Sequence, residues 1–132
     1  HSVRKASSVS RLSASATAVD RSVQVYVQID QSTKSLTGTQ VAEVTAICRQ
    51  VQGANGLELQ GLMTMAPYDP NPEASRPYFA NLRRLRNEIM ASNTEFGRIG
   101  LSMGMSGDFE VAIEEGATIV RVGTAIFGKR DP

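Results

Sequence analysis

The sequence predicts an α/β fold, about four parallel strands alternating with helices in the manner of part of a (β/α)8 barrel. Three observations predict it. Runs of alternating apolar residues take turns along the chain with runs of helical spacing. The run "LELQGLMTMA", Leu57 to Ala66, becomes nearly all apolar in its second half, the pattern of a strand covered on both faces in a parallel sheet. Each strand-and-helix unit takes about thirty residues, so a closed barrel of roughly 250 residues needs about twice this chain of 132. The chain is then either a fragment of such a barrel or a small open sheet.

The elements follow in order. From Val3 to Val19, Val3, Leu12 and Val19 stand among alanines and serines in a weak helical pattern. "VQVYVQI", Val23 to Ile29, alternates β-branched and polar residues and reads as the first strand. After the loop "DQSTKSLTG", Thr39 is placed to cap a helix in which Val41, Val44, Ile47, Cys48 and Val51 share one face. "GANG" breaks that helix before the second strand, Leu57 to Met65. A loop holding Pro67, Pro70, Pro72 and Pro77 leads to a helix with Phe79, Leu82, Leu85 and Ile89 on its buried face and its arginines toward solvent. The third strand is "RIGLSMGM", with its core at Ile99 to Met105. A short helix, "GDFEVAIEE", then ends at a left-handed Gly116, and Thr118 to Val122 is the fourth strand.

Composition narrows the function classes. The net charge of +1, the few aromatics and the absence of tryptophan give no electrostatic argument for nucleic acid or an anionic membrane, which leaves a metabolite-sized partner. Cys48 is the only cysteine, so an internal disulfide framework and a multi-thiolate metal site are excluded. His1 is the only histidine, which argues against a histidine-rich metal centre and a serine–histidine relay. With no signal peptide or long apolar run the sequence reads as cytoplasmic. It begins without methionine, at "HSV", as a piece of a longer protein would.

The last two strands carry the candidate site. Ligands of a barrel meet the strand ends where the chain turns toward the next helix, and phosphates lie at the loops after the last two strands. Ser106 follows "RIGLSMGM" and is placed to cap the next helix, whose N–H groups and positive dipole end favour an anion. Asp108 complements the same dipole and serves the helix itself. Gly123 and Thr124 follow "TIVRVG", the glycine letting the backbone approach a ligand and the threonine adding a hydroxyl. Arg121 shares a strand face with Ile119 and Gly123, where a buried guanidinium needs either a ligand or an acidic neighbour. The same small-residue turns also serve tight packing, and nothing in them defines the rest of a ligand.

"HSV", "GLMTM" and "LSMGMSGDFEVAIEEGATIVRVGTAIFGKR", in that order, resemble the pyridoxal phosphate homeostasis proteins, the YggS-type family that shares the barrel domain of alanine racemases. The long last segment makes the likeness specific. It covers essentially the whole chain and only the C-terminal half of a family member. The resemblance implies that residues 1–132 are the C-terminal half of a single barrel domain binding pyridoxal 5'-phosphate (PLP). Ser106, Gly123 and Thr124 then meet the phosphate, and Arg121 faces the pyridine nitrogen. It implies a non-catalytic role in the homeostasis of PLP (vitamin B6) and amino acids, with an amino-acid racemase on the same barrel as the alternative. Two departures stand out. The family's Schiff-base lysine belongs to the first barrel strand, and none of Lys5, Lys34 and Lys129 sits in its motif. The loop "QIDQSTKSLTG" is also shorter than the family's glycine-and-lysine loop, which leaves no role assigned to Lys34. Tyr26, Met63 and Met65 read as core or barrel lining.

Overall fold

In the computed structural model, residues 1–31 and 38–123 are described. The elements are β1 (Ser2–Val3), α1 (Ala6–Ala18), β2 (Val23–Gln28), α2 (Gly38–Gly53), β3 (Leu57–Met63), a 3-10 turn (Pro72–Ser75), α3 (Arg76–Ser92), a second 3-10 turn (Thr94–Phe96), β4 (Gly100–Met105), α4 (Phe109–Glu114) and β5 (Ile119–Arg121). All pairings are parallel and the strands lie in chain order, β1-β2-β3-β4-β5. Sequential parallel strands joined by helices are the geometry of a barrel under construction, and the fold is a partial TIM barrel.

The helices cover one face. Val25 and Val27 of β2, Leu62 of β3 and Leu101 and Met103 of β4 are fully buried. They form one core with Val9 of α1, Cys48 and Val51 of α2, Phe79, Leu82 and Ile89 of α3 and Ala112 of α4. Alternation explains the choice, because successive side chains of a strand leave on opposite sides and only one side meets helices. The other side is open, contrary to the expectation of full cover around the second strand: Met65, Met105 and Ile119 are 49%, 48% and 45% exposed.

β1 is a strand that the sequence reading merged into the first helix. Two residues cannot show alternation, yet Val3 pairs with Val27 and is buried, and the Tyr26 N–H donates to the His1 carbonyl at 2.9 Å. Lys5, with φ −133 and ψ 151, marks the extended-to-helical change. α2 begins at Gly38, so Thr39 lies inside the helix and not at the cap position expected of it, while residues 32–37 of the preceding loop lie outside the described residues. The proline-rich loop is stiffened by Asn71, whose side chain accepts from the Glu73 N–H at 3.1 Å ahead of Pro72. Gly116 ends α4 with φ 100, as its position predicts.

The arginines of α3 do not all face solvent. Arg83 pairs with Glu115 just past α4, and Arg76 Nη1 reaches the same carboxylate at 3.0 Å. Glu115 is 9% exposed, so its charge requires these partners, and the two arginines thereby clamp α4 to α3. Between β3 and β4 the backbones close up where Gly61 pairs with Gly100, and a Cβ on Gly61 would overlap the Gly100 backbone. Only glycine permits that approach.

Candidate functional site

The C-terminal ends of β3, β4 and β5 stand side by side, and Ser106, Asp108 and Arg121 lie at those ends. β4 leaves its regular ladder at Gly104, whose φ of 104 favours glycine and whose Cβ would collide with Ala112. The register with β5 shifts at this place, so that Met105 pairs with Arg121. Residues 106–108 then form the turn into α4.

That turn is built by Asp108. One carboxylate oxygen accepts from the Met105 N–H at 2.7 Å and the other from the Ser75 hydroxyl at 2.8 Å. The Asp108 N–H in turn donates to the Met105 carbonyl at 3.1 Å. Asp108, rather than Ser106, holds the N-cap position, and its side chain bonds backward to β4 instead of forward to the helix. The expectation that Ser106 caps α4 is therefore corrected: Ser106 lies in the turn itself, half-buried, two residues before the cap. Ser106, Gly107 and Asp108 also line a cleft of about 250 Å³ shared with Pro72, Glu73 and Glu114. Sequence reasoning missed Ser75 because its partner is 33 residues away.

Arg121 ends β5. Its Nη2 donates to the Thr64 carbonyl at 3.5 Å, and its Nε is buried with no hydrogen-bond partner. Neither an acidic neighbour nor solvent takes that Nε–H, so the site presents one unused, strongly directed donor. Gly123 is exposed, and a Cβ there would meet nothing within 4 Å. Its backbone is not in the left-handed region, so neither conformation nor neighbours demand glycine; what the glycine preserves is room. Thr124, Lys34 and Lys129 lie outside the described residues. The structure thus brings Arg121 and the Ser106 turn to one edge of the sheet, with Gly123 two residues beyond Arg121.

Tyr26 lies on the open face of β2, opposite Val25 and Val27, and its phenol reaches toward Thr118 just before β5. The register Tyr26–Gly61–Gly100 explains how one phenol can span two intervening strands, since neither glycine has a side chain in its way. Burial pushes the Tyr26 hydroxyl above its ordinary value, partly offset by Thr118. The phenol therefore stays protonated at neutral pH. Among the described residues no group of three His, Cys, Asp or Glu side chains could hold a metal ion, and no helix is long and apolar enough to cross a membrane.

The family model of the alanine racemase N-terminal domain matches residues 1–131. The chain belongs to that family. A pyridoxal phosphate homeostasis protein of Aquifex aeolicus is 59% identical over 75 residues, which cover 56% of this chain and 32% of that protein. A protein of the same name from Mycobacterium bovis is 43% identical over 112 residues, covering 82% of this chain and 42% of the relative. PipY of Synechococcus elongatus, solved with PLP bound, superposes with a TM-score of 0.81 at 30% identity, over 97% of this chain and 59% of PipY. The chain thus spans about three fifths of the length of PipY and less of the two curated relatives.

Proposed function

We propose that these residues form the C-terminal half of a PLP-binding barrel that acts in cytoplasmic PLP and amino-acid homeostasis as a binding protein without turnover of its own. The observation that carries the proposal is the buried, unpartnered Nε of Arg121 at the strand ends, beside the Asp108-braced turn. An orphaned buried donor needs an acceptor. The unprotonated nitrogen of a pyridine ring is such an acceptor, so the residues present fit PLP. Support also comes from PipY, which holds PLP on a superposable scaffold, and from the shared name of the curated relatives.

In this reading Ser106, Gly123 and Thr124 hold the phosphate through hydroxyl and backbone donors, and Arg121 faces the ring nitrogen. When bound, PLP supplies an electron-withdrawing ring that withdraws less strongly while its nitrogen is unprotonated. Arg121 enforces that state because a guanidinium donates and does not accept a proton. The hydrogen bonds of Asp108 keep the phosphate turn preformed, which lowers the ordering cost of binding. A small ligand carried between enzymes, with no protein or nucleic-acid contact needed for its capture, suits the near-neutral charge of the chain.

The test uses a protein that carries this segment within a complete barrel. PLP should bind with a ring absorbance shifted from that of the free compound, and Ser106→Ala should weaken binding by about 1–3 kcal/mol, the scale of a hydrogen bond to a charged acceptor. Amino-acid racemisation should stay at background. Binding of a sugar phosphate in place of PLP, or measurable racemisation, would overturn the assignment.

A further inference from the structure

Thr64, the residue after β3, is completely buried and held at every polar atom. Its N–H donates to the Ser102 carbonyl of β4 at 3.1 Å. Its hydroxyl donates to the Ile29 carbonyl at 3.1 Å and accepts from the Gln31 amide at 3.2 Å. Its carbonyl accepts from Arg121. Gln31, 3% exposed, also donates to the Tyr78 carbonyl of α3 at 3.0 Å. A carbonyl can only accept, so the amide nitrogen must face Tyr78, and the orientation of the Gln31 side chain is fixed.

That orientation leaves the Gln31 Oε1 buried with no partner. A buried amide with an unpaired oxygen is a poor stabilising device, because the unmade bond offsets much of what the two made bonds contribute. An apolar side chain of similar reach would fill the space without that cost. The amide has another consequence: with Ile29 it holds the Thr64 hydroxyl from the helix side of the sheet, while the Thr64 carbonyl faces Arg121. Among the described residues the guanidinium is anchored through Nη2 to the Thr64 carbonyl, while its Nε is a buried donor without a partner.

We infer that Gln31 and Thr64 are positioning residues for Arg121: they fix the carbonyl that aims its guanidinium, and through it they set the protonation of the ring nitrogen. The inference rests on the reading of Arg121 given above. Neither residue touches the ligand. Both act through one backbone carbonyl and one arginine.

The experiment compares Thr64→Val, Thr64→Ser, Gln31→Leu and Arg121→Ala in a protein with a complete barrel. One readout is the pH dependence of the bound PLP absorbance. A second is the exchange rate of the Arg121 Nε–H in the ligand-free protein, followed by NMR in all but Arg121→Ala. Arg121→Ala should displace the pH profile. Thr64→Val and Gln31→Leu should displace it in the same direction by about fivefold in the protonation equilibrium, the equivalent of one neutral hydrogen bond. Both should speed Nε–H exchange while leaving phosphate affinity near wild type. Thr64→Ser, which keeps the hydroxyl, should restore the wild-type profile. Should Thr64→Val fail to fold, Gln31→Leu decides alone. Wild-type profiles and exchange rates in Thr64→Val and Gln31→Leu, beside a displaced Arg121→Ala, would overturn the positioning role and leave the Arg121 reading intact. An unchanged Arg121→Ala would overturn both.

Discussion

Gly123 separates a packing turn from a ligand turn more cleanly than any other residue of the site. With nothing within 4 Å of its virtual Cβ, Gly123→Val should leave the apo melting temperature unchanged, since no neighbour is displaced. If the turn holds the phosphate as proposed, the added side chain would occupy the anion's place, so PLP affinity measured by titration should fall further than in Ser106→Ala. A second residue-scale expectation concerns Cys48, fully buried, whose thiol burial pushes up from 9.0 to about 12. The unfolded chain then loses this proton first. Stability from Cys48 is complete below pH 9, falls as pH rises above it, and is gone beyond the folded value. Denaturant melts between pH 8 and pH 11 should show Cys48→Ala flattening part of the alkaline decline, and thiol reagents should label the native wild type only slowly.

At the scale of elements, α4 is too short to hold its own position and depends on two polar attachments. Asp108 ties its start to β4 and Ser75, and Glu115 ties its end to Arg76 and Arg83. Glu115→Gln should destabilise by about 1–3 kcal/mol in denaturant melts, because two arginines lose the charge they share at a buried position. Asp108→Ala should reduce phosphate affinity as well as stability, through the freed Met105 N–H. These attachments also mark where the sequence stopped being legible. The strands β2 to β4 and the helices α2 and α3 are readable because each repeats its period, as "VQVYVQI" and the Phe79–Leu82–Leu85–Ile89 stripe do. Arg121 is readable because a charge on an apolar strand is costly unless it has a use. Ser75, Thr64 and Gln31 are not readable: each acts through a partner more than thirty residues away, and only the polar Thr64 inside "GLMTM" leaves a local trace. β1 escaped for the opposite reason, being too short to have a period.

For the whole molecule, the unbalanced feature is the sheet face opposite the helices. Met65, Met105 and Ile119 are each close to half exposed there, and the sheet of the described residues ends at β1 and β5 with one partner apiece. In a complete barrel the opposite strands fill that interior and leave no edge. The 132-residue chain produced alone has neither, so its apolar face and its unpaired backbone groups are both available to another molecule. It should self-associate, with a weight-average mass that rises with concentration in sedimentation equilibrium. Glutamate or lysine in place of Met65 and Ile119 should reduce the association, since charge on the face opposes stacking without touching the helix-side core. A chain that sediments as a monomer across the concentration range would mean that the open face is closed by residues of the chain itself.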